Sequence, residues 1–316
     1  MKKLAVGVST ARWIDEKDHV ASIRRIKKCG FEALDYQINS WFRQTLDAEK
    51  LTSFFDMSVE ELYEHYTPMR DTAREEGIWF SQFHAPCPMY FPNDPIRTEY
   101  YAQVTEKMIA LAAFLDCSSI VVHPWGTLES SKEEEYEVNM NLYRRLMPAA
   151  KKYRVQICLE NMFTGYIGDD GREVLLPGAC ADAEETCRYI DALNAEAGEE
   201  LFGFCLDIGH TNVAGADIYD FIQKLGQRLT DLHLHENDGK SDTHAIPYTQ
   251  ECAAHPGKRP IDWDKVLEGL KEIGFEGALS FETQHAIEIL PEELKSDALT
   301  YIASIGKYFR KRIEEE

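Results

Sequence analysis

Short apolar runs alternate with long amphipathic segments from one end of the chain to the other. The candidate strands are Leu4–Ser9, Phe31–Ile38, Trp79–His84, Ser119–His123, Val155–Glu160, Leu201–Asp207, Leu229–His235 and Gly277–Glu282. Between them, helical spacing of apolar residues covers Asp18–Cys29, Val59–Glu76, Arg97–Leu115, Lys132–Lys152, Asp182–Ala195, Ile218–Gly226 and Trp263–Ile273, and a last helix is predicted over Pro291–Ile313. Strands that are apolar almost throughout, each followed by a helix, predict a parallel sheet covered on both faces. Eight such units in 316 residues predict an α/β fold, a (β/α)8 TIM barrel with a C-terminal helix. A doubly wound open sheet would begin with a Gly-rich turn, and Val8–Ser9–Thr10–Ala11 is not one. No Pro/Gly linker or shift in composition divides the chain, so residues 1–316 are expected to form one domain. Two stretches, Gly165–Ala181 after the fifth strand and Asp238–Pro260 after the seventh, have the length of functional loops.

Hydrophobic residues make up 44% of the chain and charged residues 28%, which excludes disordered and fibrous classes. Charge says more. Thirty-four basic residues stand against 55 acidic ones, a net charge of −21, which repels phosphate backbones and anionic lipid. The longest basic run is Arg310–Lys311–Arg312, so neither a nucleic-acid nor a membrane partner is expected. Eight cysteines without a C-x-x-C pair suit a reducing compartment. The start MKKLAVGVSTARW is too short in apolar residues for a signal peptide, and no apolar stretch approaches ~18 residues, so a cytoplasmic location is expected.

The strand ends carry the chemistry. Strand three ends in His84, strand four in His123 and strand five in Glu160; strand six offers Asp207 and His210, strand seven His233 and His235 followed by Asp242 and His244, and strand eight Glu282. In a barrel these residues share the C-terminal face, where active sites assemble. Glu160, Asp207 and Glu282 each interrupt an apolar run, and a buried carboxylate there is costly unless it is paired or binds a metal. Ligands of the His, Asp and Glu type without thiolate suit Zn2+, Mn2+, Fe2+ or Co2+. His233 should lie one layer below His235, where packing or support of a ligand is as good a reading as ligation. Cys158 and Cys205 fall at the same depth and are expected to pack. Trp13, Phe83, Trp125 and Phe163 lie near strand ends and could wall a pocket.

These motifs resemble the xylose-isomerase-like barrel superfamily, which includes sugar and sugar phosphate isomerases and epimerases and the endonuclease IV family. The resemblance runs from VGVST in strand one to IDWDKVLEGLKEIGFEGALSFET at Ile261–Thr283. Matched to the ketose 3-epimerases, it implies one divalent metal on Glu160 (LEN), Asp207 (LDIGH), His235 (HLHEND) and Glu282 (FET). The same match makes the two glutamates carry the proton and sets His210 on the substrate. His84 and Trp125 join His210 as expected substrate contacts. Matched to endonuclease IV, it implies a trinuclear zinc site that adds His84, His123, His210, Asp242 and His244. The family's P-G-x-G before I-D-W is replaced here by His255–Pro256–Gly257–Lys258–Arg259–Pro260, preceded by a long Ala245–Ala254 segment. Lys240, Lys258 and Arg259 are therefore either solvated loop charges or receivers of a substrate phosphate.

The favoured reading is a metal-dependent sugar or sugar phosphate isomerase or epimerase, with proton transfer through a metal-stabilised enediolate. The alternative is a trinuclear zinc phosphodiesterase acting on phosphoesters or abasic DNA. Its ligands are all present, but Ser40–Asp56 contains only Arg43 and Lys50 as cations for a recognition loop. A non-enzymatic sugar-binding barrel ranks below both. The partner expected is a small carbohydrate; a homo-oligomer is left open.

Overall fold

The computed structural model describes residues 4–11, 13–169, 171–250 and 257–315. Every predicted strand is present, trimmed by at most two residues at either end: β1 (Ala5–Ser9), β2 (Ala33–Tyr36), β3 (Trp79–His84), β4 (Ser119–Val121), β5 (Gln156–Glu160), β8 (Phe202–Asp207), β9 (Leu229–His233) and β10 (Ala278–Phe281). The two remaining strands, β6 (Phe163–Ile167) and β7 (Glu173–Pro177), form an antiparallel hairpin in the stretch expected to be a loop. The eight barrel strands pair in parallel in the order β10-β1-β2-β3-β4-β5-β8-β9. A bridge between Leu234 and Phe281 closes the ring, with Leu234 N donating to Ser280 O at 2.8 Å and Glu282 N to Leu234 O at 3.1 Å. This is a (β/α)8 TIM barrel.

The helices are α1 (His19–Lys28), α2 (Ile38–Thr45), α3 (Val59–Glu76), α4 (Pro95–Phe114), α5 (Lys132–Tyr153), α6 (Ala183–Ala197), α7 (Ile208–Val213), α8 (Ile218–Leu225), α9 (Trp263–Glu272), α10 (Gln284–Glu288) and α11 (Glu292–Glu314). Local chemistry sets their ends. Ser58 caps α3 in a reciprocal box with Glu61, and Gly77 closes it in the left-handed region at φ 62°. Helices α2, α7 and α10 begin directly after strands or strand-end motifs, and each is too short to show helical periodicity in the sequence. Fully buried Phe31, Phe80, Phe83, Phe204 and Phe221 belong to the layer between strands and helices, each worth ~1.5–3 kcal/mol of burial. Among the described residues no helix is long and apolar enough to cross a membrane.

Two register irregularities decide what faces inward. Between β2 and β3, Leu34 pairs with Phe80 but Asp35 pairs with Gln82, so Ser81 is an extra residue. Phe80 and Phe83 consequently both pack on Tyr36, outside the barrel, at 6.1 and 5.1 Å between ring centroids. Strict alternation from Phe80 would have turned His84 outward as well; the extra residue turns it in. Thr230 plays the same part in β9, after which Asp231 and His233 face the axis and Leu232 faces the helices.

Candidate functional site

Asp207 organises one wall of the mouth. It ends β8 and caps α7, accepting from His210 N at 2.6 Å, which brings His210 back over the axis one residue turn later. Asn161, next to Glu160, donates to Asp207 O and accepts from Asp207 N, both at 2.8 Å, locking β5 to β8. Gly209 in the same motif lies against His235, and a methyl group at 209 would overlap that ring.

The nine predicted metal positions come together, in three overlapping groups. Glu160 Oε2 is 2.7 Å from His123 Nε2 and 3.9 Å from His84 Nε2. At the centre, His233 Nδ1 lies 3.3 Å from Glu160 Oε1, 3.6 Å from Asp207 Oδ2 and 3.5 Å from Glu282 Oε2. The third group joins His235, 3.0 Å from Asp207 Oδ1, to Asp242 at 3.7 Å, with Asp242 Oδ2 3.6 Å from His210 Nε2 and 2.9 Å from His244 Nε2. Asp242 and His244 reach the mouth because the loop after β9 is folded back by a Glu236–Ala245 bridge. His244 is held at φ 45°, a conformation non-glycine residues adopt at a cost.

Glu160, Asp207 and Glu282 are at most 8% exposed. Burial alone would push Glu160 up, but the charges of His123 and His233 hold its carboxyl well below the usual range. Burial likewise acts against Asp207, which His210 and His235 hold low. The imidazoles shift the other way: burial is outweighed at His210 by Asp207 and Asp242, to about 10, and at His244 by Asp242 and Glu282, to about 9. The site is a set of mutually compensating, largely buried charges.

The His233 ring nitrogen meets the three carboxylates directly. Glu160 and Glu282 stand three strands apart, with β8 and β9 between their strands on one side of the ring. Two site residues escaped the sequence reading. Asp35, on β2, is fully buried and accepts from His84 Nδ1 at 3.0 Å. Gln37 donates to Glu282 Oε1 at 3.0 Å and lies 3.2 Å from His84 Nε2. Asp35 carried the same signal as Glu160, a carboxylate inside an apolar run.

Of the proposed wall residues, Phe163 sits edge-to-face on His210 at 4.9 Å, delivered by β6. Trp125 lies two residues beyond His123, packs edge-to-face on Tyr90 at 5.1 Å, and has its backbone N–H bound by Asn139 Oδ1 at 2.7 Å. Phe83 faces the helix layer on Tyr36 instead of walling the mouth. Trp13 is buried beside Arg25 and Lys295. Cys158 and Cys205 pack with Val121 below the site. The cysteines described are free thiols; Cys252 lies outside the described residues.

Two of the three loop cations, Arg259 and Lys258, are engaged through their charged groups. Arg259 donates through Nε to Asn212 Oδ1 at 3.2 Å and also bonds Asn212 O; Lys258 lies 3.5 Å from Asp238. Lys240 N donates to Asp238 Oδ1 at 3.1 Å. His255, Pro256 and residues 251–254 of the long segment are outside the described residues. Glu236 of HLHEND is a structural clamp, accepting from Trp263 Nε1 at 2.6 Å and Ile261 N at 3.0 Å, which explains the tryptophan of the I-D-W motif.

The family described as xylose isomerase-like TIM barrel matches residues 23–304. A protein of Methanocaldococcus jannaschii, itself uncharacterized, is 30% identical over 197 residues, covering 57% of this chain and 58% of that one. An inosose isomerase of Bacillus velezensis is 28% identical over 186 residues, 57% of this chain and 59% of its own. The chain thus spans under two thirds of the length of these relatives. Among solved structures, a D-psicose 3-epimerase in the presence of D-fructose superposes with TM-score 0.68 at 14% identity, over 97% of this chain and 99% of that one. An IOLI protein with a bound zinc atom gives TM-score 0.66 at 16% identity, over 99% and 100%.

Proposed function

Because this chain belongs to the xylose isomerase-like TIM barrel family, we propose that it is a divalent-metal-dependent isomerase or epimerase of a small carbohydrate, moving a proton at a carbon beside a carbonyl. One observation carries the reading. Glu160, Asp207 and Glu282, three buried carboxylates from three strands, converge on a single imidazole nitrogen within 3.3–3.6 Å. The inosose isomerase among its relatives supports the same reaction class.

Glu160, Asp207, His235 and Glu282 would hold the metal. Their donors fit one: all are carboxylate or imidazole, none is thiolate, and Glu160 Oε2 makes no hydrogen bond of acceptable geometry despite its 2.7 Å approach to His123. When bound, such an ion polarises a carbonyl and acidifies the neighbouring C–H. The chain supplies the rest. Glu160 and Glu282 accept and return the proton at their carboxylate oxygens, and Gln37 fixes the rotamer of Glu282 through its 3.0 Å hydrogen bond. His84 and His210 would bind substrate hydroxyls, with Phe163 and Trp125 at the rim.

The test is a panel of ketoses and cyclic polyol ketones incubated with protein loaded with Mn2+, Co2+ or Zn2+, the products separated by chromatography. Conversion of one member to its isomer or epimer, abolished by chelator, is expected; inertness towards the whole panel contradicts the proposal. A second reading rests on the grouping of donors into three sets that share Glu160 and Asp207. That set would also suit several ions and phosphodiester hydrolysis. Metal analysis separates the two: one ion per chain in the mouth favours sugar chemistry, three favour the phosphodiesterase.

A further inference from the structure

A second set of metal-type donors lies away from the mouth, between the loop after β1 and helix α3. Glu16 stands in that loop, His19 opens α1, and His65 is in the second turn of α3. One donor atom from each lies within 4.8 Å of the other two. His19 Nε2 is 3.0 Å from Glu16 Oε2. The His19 and His65 rings meet edge-to-face at 5.4 Å, and His19 stacks on Tyr66 at 5.3 Å. The carboxylate is itself fixed: Tyr36 Oη donates to Glu16 Oε1 at 2.6 Å and Tyr66 Oη to Oε2 at 3.2 Å.

A hydrogen-bond network accounts for Glu16 and for one nitrogen of His19, but not for His65. Its Nε2 is buried and has no hydrogen-bond partner, although a carboxylate and a second imidazole stand beside it. Orphaned buried polar atoms are rare in native proteins and call for an explanation. Two imidazoles and one carboxylate, without thiolate and with too few oxygens for Ca2+ or Mg2+, form the donor set of Zn2+ and its neighbours. The tyrosine hydroxyls on the carboxylate are the kind of outer support that orients a ligand.

We propose that Glu16, His19 and His65 form a separate transition-metal site of the zinc type, which pins the loop after β1 to α3. The same loop, with Tyr36, Gln37 and Trp41, encloses a cavity of about 330 Å3. Gln37 spans from this cavity to Glu282. The ion therefore stiffens the wall behind the mouth without touching the groups assigned to proton transfer. The inference does not depend on how many ions the mouth holds, because it is read as a difference between variants.

The experiment strips the full-length protein with chelator, reloads it with excess Zn2+, removes unbound metal and measures zinc per chain. His65→Gln, which keeps polarity and size but binds zinc poorly, should lose one ion per chain relative to the parent. Its circular dichroism and its activity on any converted sugar should remain. Loaded with Co2+, the parent should show a visible absorption component that His65→Gln lacks. His65→Cys, which restores a ligand, should recover the ion. If His65→Gln fails to fold, Glu16→Gln is measured in the same way and should also lose one ion. Equal zinc in parent and His65→Gln, or loss in His65→Cys as large as in His65→Gln, overturns the proposal and leaves an edge-to-face histidine pair.

Discussion

Asp231 faces the barrel axis two residues before His233, and burial raises its carboxyl to about 6. A carboxyl raised in the folded state binds its proton more tightly than in the unfolded chain. Its contribution is therefore most favourable below the ordinary carboxylate range and is lost as pH climbs from about 4 to about 6. A shift of this size corresponds to about 3 kcal/mol against folding at neutral pH. Asp231→Asn should therefore stabilise the protein by about 1–3 kcal/mol at pH 7 and by little at pH 4, measured as paired urea titrations; equal effects at both pH values would refute the assignment. Single residues also mark where the sequence could and could not be read. Glu160, Asp207 and Glu282 were legible because a charge inside an apolar run has few bland explanations. Asp35 in FEALDYQIN met the same criterion and belongs with them. Gln37 gave no such signal, since a glutamine after a strand is ordinary, and only its contact with Glu282 reveals it.

The elements place these residues by devices that leave different traces. The alternation in DLHLH shows His233 and His235 on one face, and both rings lie against Asp207, at 3.6 and 3.0 Å. The inward turn of His84 depends on the extra residue Ser81, which nothing in FSQFH announces. The hairpin β6–β7 was legible in principle: FTGYI and EVLLP flank an Asp-Gly at positions 170 and 171, a turn-forming pair between β-prone segments. It matters because β6 begins with Phe163, whose ring covers His210. Phe163→Ala should leave the barrel folded, with the thermal midpoint within a few degrees of the parent, and raise KM about tenfold through loss of ~1–2 kcal/mol of apolar contact. A parent-like KM would place the substrate away from the hairpin. The proposed metal donors divide among strand ends, α7 and the loop after β9, so no single element carries the site, and its donor groups become visible only when the barrel closes.

At the scale of the whole molecule, a net charge of −21 surrounds a mouth beside a loop whose Arg259 and Lys258 are engaged with Asn212 and Asp238. The protein should show no salt-sensitive binding to an abasic duplex at physiological ionic strength in a fluorescence anisotropy titration; tight binding that weakens steeply with salt, or chelator-sensitive nicking, would transfer support to the phosphodiesterase reading. The barrel architecture was recoverable from periodicity alone because strands buried on both faces and amphipathic helices have different spacings. The reaction was not, because one ligand constellation serves both sugar and phosphoester chemistry and only substrate and ion count divide them. The central claim is that Glu160 and Glu282 move a carbon-bound proton. It is tested most directly by exchange of substrate C–H with deuterated water, followed by NMR, for the parent and Glu282→Gln, both saturated with Mn2+ or Co2+. The variant keeps the shape of the side chain but cannot accept the proton, so exchange should fall by ~10²–10⁴; exchange at the parent rate in the fully loaded variant would contradict the account.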